Sequence, residues 1–351
     1  MQAVVKVAAG SGHVEFIDMP EPDLVPGHAL VEVSVAGVCG TDLHIWRGEY
    51  PSVPPVILGH EMAGVVVATR PARDSTPHDA TPASEARIGD RVTAIPYSSY
   101  CGVCRNCRAG RPNRCPSRRS FGSGLHGAFA RFVVIPTGNL FAIPAGLSME
   151  AAVVAEPLGC AIRAVADEGQ VRPGDTVVVS GPGPIGLMCA AVASIAGANV
   201  LLMGRAADEG RLQLAASLPR CEVVVIDRVD PVQAVVDRTG GDGADVVLEC
   251  AGVGPSASTC LAVVARGGRY VQVGLFSGPV LWDLGQVAIK EVQVRGPFGT
   301  LYDTFPRALA LLAAHGDLIR PIVSGVRPLA EWHEAFDDAV AGRAAKVLLR
   351  P

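Results

Sequence analysis

The strongest constraint on the fold is an alternation of two kinds of segment that begins near residue 174. Short valine-rich segments (TVVVSG, NVLLMG, EVVVID, ADVVLECAG and GRYVQVGLF) are separated, in the first part, by the alanine- and leucine-rich segments PIGLMCAAVASIAG and DEGRLQLAASL. Alternation of this kind is typical of a parallel sheet whose strands are joined by crossover helices. The sequence therefore predicts an α/β fold with a doubly wound parallel sheet.

Glycines punctuate the turn after the first valine-rich segment. Gly181, Gly183 and Gly186 form a G-x-G-x-x-G pattern in GPGPIG, with Pro184 and Ile185 inside it. A glycine turn without a ligand is the alternative, but a strand before and a helix after the pattern favour a dinucleotide site. There the backbone approaches the pyrophosphate and the helix N-terminus faces its charge. All five residues are predicted to contact a nicotinamide dinucleotide.

The end of the next strand, NVLLMGR, bears on the choice of cofactor. An acidic residue is expected there to bind the ribose hydroxyls of NAD, but Gly204 occupies the position and Arg205 follows it. Losing the carboxylate removes repulsion of a 2′-phosphate, and arginine can bind a phosphate with two hydrogen bonds. We therefore expect NADP to be favoured, with NAD possible, unless Arg205 is only a solvated surface residue.

The preceding part of the chain has a different character. Residues 28–38 and 61–68 are apolar or alternating and valine-rich, with glycine and proline between them, so we expect mainly strands and loops up to about residue 155. The segment 69–87 lacks an apolar period and is expected to be a mobile surface loop. Beyond Pro297 the pattern predicts a helix over 305–315, a loop, and a last short strand, KVLLR.

A cysteine cluster stands within the strand-rich part, in CGVCRNCRAGRPNRC. Four thiolates this close can surround one tetrahedral Zn²⁺, and a site closed by four sulfurs is structural because it leaves no position for substrate. Unliganded thiols, an iron–sulfur cluster and a zinc-ribbon nucleic-acid module are the less favoured alternatives to a structural zinc site. The last alternative arises from six arginines with no acid among them. The cysteines are Cys101, Cys104, Cys107 and Cys115, and the arginines are Arg105, Arg108, Arg111, Arg114, Arg118 and Arg119.

A second, mixed group of metal-ligating residues is spread along the chain. Cys39 lies in AGVCGTDLH, His60 and Glu61 lie in ILGHEMAG, and Glu156 lies in the apolar segment AEPLGCA. A catalytic zinc needs about three protein ligands and an exchangeable position, and cysteine, histidine and carboxylate are a normal set. Each residue taken alone has an ordinary structural explanation, so the hypothesis depends on the combination.

Two side chains near Cys39 could move protons. Thr41 and His44 follow it at the second and fifth positions, which would bring a hydroxyl and an imidazole close to the same metal. An alcohol substrate could pass its proton to Thr41 and on to His44, because an imidazole titrates near neutral pH.

Taken in order, GVCGTDLH, GHEMAGVV, GDRV, the four-cysteine segment, AEPLGCA and GPGPIG resemble the zinc-containing medium-chain dehydrogenase/reductase family, in its polyol and L-threonine dehydrogenase branch. The resemblance runs nearly end to end. It implies a GroES-like, mostly β catalytic domain over 1–158 and 297–351, with a structural-zinc lobe at about 98–118, and a Rossmann domain over 159–296. It further implies that Cys39, His60 and a glutamate hold the catalytic zinc, with Glu61 and Glu156 both near it.

The resemblance implies one reaction class and leaves rivals open. The expected activity is hydride transfer between a secondary alcohol (a polyol, sugar alcohol or vicinal diol) and NAD(P), which gives the ketone. An L-threonine 3-dehydrogenase-like enzyme and a zinc-dependent aldehyde or ketone reductase are alternatives, and a non-catalytic dinucleotide-binding protein is a remote one. Sorbitol dehydrogenases typically carry an Arg-Tyr pair after the last nucleotide-domain strand, but here Gly299 and Thr300 take those places.

Composition constrains the partners. A net charge of −4 gives no reason to expect nucleic acid or an anionic membrane, so a small molecule is the expected ligand. The apolar segment 187–203 is too short to span a bilayer. The N-terminal segment lacks the features of a secretory signal, so we expect the protein in the cytoplasm, where ten cysteines favour metal binding or packing over disulfides. The family resemblance implies a homo-oligomer, a tetramer or a dimer.

Overall fold

A computed structural model describes residues 1–72 and 86–351. The strands of the described residues are β1 (Gln2–Lys6), β2 (Val14–Asp18), β3 (His28–Gly37), β4 (Val56–Ile57), β5 (Glu61–Arg70), β6 (Arg91–Ala94), β7 (Tyr97–Ser99), β8 (Arg119–Ser120), β9 (Phe132–Pro136), β10 (Leu140–Ala142), β11 (Thr176–Ser180), β12 (Asn199–Gly204), β13 (Cys221–Val225), β14 (Ala244–Glu249), β15 (Val264–Gln272), β16 (Gln293–Arg295), β17 (Val323–Pro328) and β18 (Lys346–Arg350). The α-helices are α1 (Gly40–Trp46), α2 (Arg105–Arg108), α3 (Met149–Ala152), α4 (Ala155–Ile162), α5 (Pro184–Ile195), α6 (Glu209–Ala216), α7 (Pro231–Thr239), α8 (Gly254–Val263), α9 (Leu284–Ile289), α10 (Thr304–Ile319) and α11 (Trp332–Ala341).

The middle of the chain folds into a six-stranded sheet in the order β13-β12-β11-β14-β15-β16, and every neighbouring pair is parallel. The order reverses between β11 and β14, so the strands' carboxyl ends leave a crevice at this point, where ligands of such sheets bind. The predicted α/β fold with a doubly wound sheet is confirmed.

The remaining strands belong mainly to an antiparallel sheet, in which β10-β6-β5-β3-β18-β17 are neighbours and β9 also pairs with β3. The last strand, β18, lies inside this sheet, antiparallel to β3 and parallel to β17. Residues far apart in sequence are thereby brought to one sheet. The assignment of 1–158 and 297–351 to one domain, and of 159–296 to the other, stays a prediction; the strands of the parallel sheet lie between Thr176 and Arg295.

The two sheets share a continuous hydrophobic core. Helix α4 packs against both α5 and α10, and one cluster of buried side chains extends from Val35 and Ala63 of the antiparallel sheet, through Leu158, to Val177 of the parallel sheet. Packing of this kind fixes the crevice of the parallel sheet against the ends of β3 and β5.

Two predicted segments differ from the structure. The loop expected over 69–87 begins later, because β5 continues to Arg70, and residues 73–85 lie outside the described residues. The loop expected before the last strand contains β17 and α11 instead. Helix α11 buries Trp332, Ala335 and Phe336 on one face, which is the helical spacing of apolar residues.

Within the described residues, no helix has both the length and the apolar character needed to cross a bilayer.

Candidate active site

A cleft of about 340 Å³ lies where the two sheets meet. One wall comes from the antiparallel sheet and its loops, and the other comes from the turns that follow β11, β14 and β15. The lining residues relevant to the chemistry are Cys39, Thr41, His44, His60, Glu61, Tyr97, Arg118, Glu156, Cys160, Gly183, Pro184, Ile185, Cys250, Ala251, Val273, Gly274, Leu275, Phe298, Gly299 and Lys346.

Three of the predicted metal ligands meet in this cleft. Cys39 immediately precedes α1, and His60 and Glu61 stand at the start of β5. The sulfur of Cys39, a ring nitrogen of His60 and a carboxylate oxygen of Glu61 all lie within 4.8 Å of one another. One thiol, one imidazole and one carboxylate at this spacing fit the donor set of a catalytic zinc, which keeps an open position for substrate.

A buried aspartate that the sequence analysis did not single out holds the two ligand segments together. Asp42 is fully buried, and its carboxylate accepts hydrogen bonds from the backbone N–H of Cys39 (2.9 Å) and of Gly59 (3.1 Å). It therefore joins the residue before α1 to the residue before His60. Its position three residues after Cys39 in a turn into a helix was the available signal.

Glu61 has a cationic partner from the last strand. Lys346 Nζ lies 2.6 Å from Oε1 and 2.5 Å from Oε2 of Glu61, and it also donates to the carbonyl of Val38 at 2.8 Å. Both side chains are almost completely buried. Burial lowers the pKa of Lys346, but Glu61 and Cys39 together raise it above its ordinary value. The Glu61 carboxylate is thus shared between the metal-ligating group and a buried cation.

Glu156 reaches the same cleft from α4. It is 5% exposed, and burial raises its pKa to about 7, although nearby His60 acts in the opposite direction. Cys160, one helical turn further on, lies with its sulfur 3.8 Å from Glu156 Oε1. Glu156 is outside the group of three ligand atoms that lie within 4.8 Å of one another. For His60, burial lowers the pKa, but Cys39, Asp42 and Glu156 outweigh it and raise the pKa well above the usual value.

Both predicted proton-transfer residues line the cleft. The hydroxyl oxygen of Thr41 lies 3.8 Å from the sulfur of Cys39. His44 is half-buried, and its Nδ1 lies 2.7 Å from Glu49 Oε2. This contact leaves the other ring nitrogen, Nε2, available to a group in the cleft.

The four-cysteine segment closes on itself. The sulfur–sulfur distances are 4.0 Å for Cys101–Cys107, 3.5 Å for Cys104–Cys107 and 3.6 Å for Cys101–Cys115. They bracket the ~3.8 Å expected between sulfurs that surround a tetrahedral zinc with bonds of about 2.3 Å. Backbone N–H groups of Cys104 and Val103 lower the pKa of Cys101 to about 6, whereas burial and the neighbouring thiols raise the pKa of Cys107 to about 12. The groups of the protein itself therefore stabilise a thiolate at Cys101 and keep Cys107 protonated.

The three glycines of the GPGPIG turn differ in the space around each of them. Gly181 has a φ of +99°, and a Cβ there would approach Ala251 to 2.9 Å; a Cβ on Gly186 would lie 1.9 Å from the carbonyl oxygen of Gly181. Gly183, by contrast, has nothing within 4 Å of such an atom. It precedes α5 without a side-chain cap, so the space above it faces free helix N-terminal amides. This space fits an anionic group of a dinucleotide.

Gly204 ends β12 in a crowded position. A Cβ on it would lie 2.7 Å from Leu212 Cδ2 and 2.9 Å from Pro182 Cγ. A carboxylate could not be introduced there without displacing one of them. Arg205 is 67% exposed, and its nearest acid is Asp208, with 3.8 Å between Nε and Oδ2.

Tyr97 lies over Gly299, in the segment where the sequence departs from the sorbitol dehydrogenase pattern. Gly299 has a φ of +65°, and a Cβ there would overlap the hydroxyl of Tyr97. That buried hydroxyl has no hydrogen-bond partner among the described residues. Thr300 is fully buried and bonds to Thr304 instead of facing the cleft. Tyr97 was not singled out in the sequence, because nothing local links it to Gly299.

Comparisons with known proteins agree with this geometry. Residues 25–145 match the alcohol dehydrogenase GroES-like domain, and residues 184–314 match the zinc-binding dehydrogenase domain. A sorbitol dehydrogenase of Halalkalibacterium halodurans is 35% identical, with 100% of this chain and 99% of that protein covered. A D-arabitol-phosphate dehydrogenase of Enterococcus avium is 32% identical, with 99% and 97% covered. Among solved structures, one described as a zinc-binding dehydrogenase of Sinorhizobium meliloti bound to NADP is 33% identical, has a TM-score of 0.86, and is matched over 100% of this chain and 99% of its own.

The fold and the cleft together define a zinc-dependent oxidoreductase that uses a nicotinamide dinucleotide. The chain belongs to the zinc-containing medium-chain dehydrogenase/reductase family, in the branch of polyol and threonine dehydrogenases, as its sequence motifs predict. Its reaction class is alcohol or polyol oxidoreduction.

Proposed function

We propose that the enzyme oxidises a secondary alcohol of a polyol or vicinal diol to the ketone and transfers the hydride to NADP. The observation that carries this proposal is the shared cleft: the Cys39, His60 and Glu61 cluster and the Gly183 turn open into one space. The names of the two relatives above, a sorbitol and an arabitol-phosphate dehydrogenase, support a polyol.

In this proposal Cys39 and His60 hold the catalytic zinc together with a glutamate. Glu61 is paired with Lys346, whereas Glu156 makes no ion pair with the residues that the structure describes, and either carboxylate is a candidate for the third ligand. Zinc bound there supplies the Lewis acidity that lowers the pKa of an alcohol. The Thr41 hydroxyl accepts the alcohol proton as it gives up its own towards Nε2 of His44, since Glu49 holds Nδ1, and the protonated imidazole then releases a proton to solvent.

The lobe carries the second zinc. Cys101, Cys104, Cys107 and Cys115 surround a space of the right size, and four sulfurs leave no position for a substrate. Its role is structural, because metal binding can order a segment with few apolar residues. We therefore propose two zinc ions per chain, one catalytic and one structural.

NADP is proposed over NAD because Gly204 excludes the ribose-binding carboxylate and the exposed Arg205 stands beside it. The NADP bound to the Sinorhizobium meliloti relative is consistent with this preference. For the assembly, we propose a homotetramer, with a dimer as the alternative, and for the location the cytoplasm. The absence of a disulfide among the ten cysteines of the described residues is consistent with a reducing compartment.

The experiment that tests the reaction uses purified, zinc-loaded enzyme with polyols, vicinal diols and L-threonine. Formation of the reduced nicotinamide is followed by absorbance with NADP and with NAD. We expect turnover of at least one polyol, loss of turnover in His60→Ala, and an unchanged fold by circular dichroism. Activity that survives in both His60→Ala and Cys39→Ser would refute the assigned catalytic site.

A further inference from the structure

Arg118 differs from the other arginines of the zinc lobe in its position. Arg118 lines the catalytic cleft and is partly buried, whereas the other five are exposed. It immediately precedes β8, whose Ser120 pairs with Tyr97 of β7. The fold therefore places the positive charge of Arg118 in the cleft in which the substrate must lie.

The guanidinium of Arg118 lies over two aromatic rings. Its central carbon is 4.9 Å from the ring centre of Tyr97 and 4.8 Å from that of Phe298. A cation–π contact of this kind uses the positive charge of the group without consuming its N–H donors, which remain available to bind. Two parallel N–H donors are the arrangement that binds a carboxylate or a phosphate.

The aromatic support is itself fixed. The carbonyl of Phe298 accepts hydrogen bonds from Arg163 Nη1 (2.8 Å) and from Asn113 Nδ2 (3.2 Å), and Arg163 also bonds to the carbonyl of Gly299 (2.6 Å). Arg163 is 2% exposed. A guanidinium on a rigid support loses less conformational freedom when it binds an anion than a mobile surface arginine does.

Among the basic side chains that line the cleft, Arg118 also lacks an acidic partner in the described residues. Of the other basic groups in the cleft, Lys346 is paired with Glu61 and His44 with Glu49, and His60 lies against Cys39. The guanidinium of Arg118 makes neither an ion pair nor a hydrogen bond with any of the residues that the structure describes; only its backbone N–H is bonded, to the carbonyl of Cys115. A partly buried cation without an acid, in a cleft that must admit substrate, is suited to an anionic substrate group.

We propose that Arg118 determines substrate specificity by binding an oxyanion, a phosphate monoester or a carboxylate, that the alcohol carries away from its reacting carbon. The proposal rests on the oxidoreductase function proposed above and specifies the charge of the substrate. Arg118 takes no part in hydride or proton transfer. Its effect is to orient the substrate, so that the remote anion helps to fix the reacting alcohol.

The test compares three compounds that differ only in the terminal group at C1: D-arabitol, D-arabitol 1-phosphate and D-arabinonate. For each, kcat/KM is measured with zinc-loaded enzyme and NADP, and Kd is measured by calorimetry on the enzyme saturated with reduced NADP. The variants are Arg118→Met, which keeps an unbranched apolar stem, and Arg118→Lys, which keeps the charge. Arg119→Gln is the matched control, because this neighbouring arginine is exposed and outside the cleft.

We expect the wild type to prefer one or both anionic compounds, and the phosphate and carboxylate arms show which. Arg118→Met should weaken kcat/KM and binding of the preferred anion by about 10- to 150-fold, the range for a charged hydrogen bond, and change D-arabitol by less than about twofold. Arg118→Lys should restore part of the loss, and Arg119→Gln should have no effect.

Two results would overturn the proposal. A wild type that oxidises and binds D-arabitol as well as both anions would refute it and leave the polyol oxidoreductase function standing. Equal losses on all three compounds in Arg118→Met would show that Arg118 only supports Tyr97 and Phe298. If anions bound through Arg118 but no alcohol were oxidised with either cofactor, the proposed function would fail instead.

Discussion

Alanine substitutions at two glycines of the GPGPIG turn should separate cofactor binding from folding. At Gly183 the φ and ψ angles of −66° and 173° suit any residue, and an added methyl group meets no atom within 4 Å. Alanine precedes a helix less well than glycine, at a cost of about 0.5–1.5 kcal/mol, but it loses less chain entropy on folding, which returns about 0.4–1 kcal/mol. We expect the free energy of unfolding of Gly183→Ala to stay within about 1 kcal/mol of the wild type.

At Gly186 the same change acts on the fold. Its methyl group would lie 1.9 Å from the Gly181 carbonyl oxygen, which is backbone and cannot rotate away. Overpacking of this kind costs about 1–3 kcal/mol or more, and it outweighs the roughly 1 kcal/mol that alanine contributes inside a helix. Gly186→Ala should therefore unfold at lower urea concentration than Gly183→Ala.

Gly183→Ala should leave the stability nearly unchanged but weaken the binding of the cofactor. If the pyrophosphate occupies the open space above this residue, the methyl group displaces it, and the Kd for reduced NADP should rise at least about tenfold, or 1.4 kcal/mol. The Kd is measured by nicotinamide fluorescence, stability by urea denaturation, and zinc content serves as the control. A Gly183→Ala enzyme that binds reduced NADP within twofold of the wild type would show that the phosphates lie elsewhere.

Three further outcomes are expected. Arg205→Ala should lower kcat/KM for NADP by about 10- to 150-fold and barely change kcat/KM for NAD, measured with one accepted alcohol. A wild type that prefers NAD, with the same preference in the variant, would contradict the assignment. Cys101→Ser should lose one of two zinc ions by elemental analysis and unfold more easily, so retention of both ions would disprove the lobe site. Lys346→Met should cost about 3–5 kcal/mol in urea denaturation, because it leaves Glu61 buried without its cation. The double variant with Glu61→Gln should recover most of that loss, and failure to recover it would mean that the pair is not coupled.

What the sequence predicted well is local. The spacing of residues within one short segment was enough to predict both the four-cysteine site and the GPGPIG turn, because the chemistry of each depends on residues that are close in sequence. Five of the six strands of the parallel sheet were also predicted, and β11, β12 and β14 read as nearly continuous apolar runs because they are mostly buried. The edge strand β16 was not predicted, because it is short and mostly exposed.

What the sequence did not predict depends on distant pairings. Lys346 and Glu61 are 285 positions apart, and Tyr97 covers Gly299 from another part of the chain. No spacing rule connects such residues, because their contacts follow from the register of β18 against β3 and from the packing of the lobe. Arg118 was seen only as one of six lobe arginines, and only the fold distinguishes it from the others.

The position of β18 also sets an order of events during synthesis. This strand pairs with β3 and β17 inside the antiparallel sheet, and it brings Lys346 to Glu61. While the ribosome is still adding residues 300–340, β3 is paired with β5 and β9, but Ala36 and Gly37 at its end lack their β18 partner and the carboxylate of Glu61 has no buried cation. The nascent antiparallel sheet therefore presents a short open backbone edge at the end of β3, of the kind that can pair with other chains. Completion of the catalytic centre must wait until β18 has left the ribosome, long after Cys39 and His60 have been made.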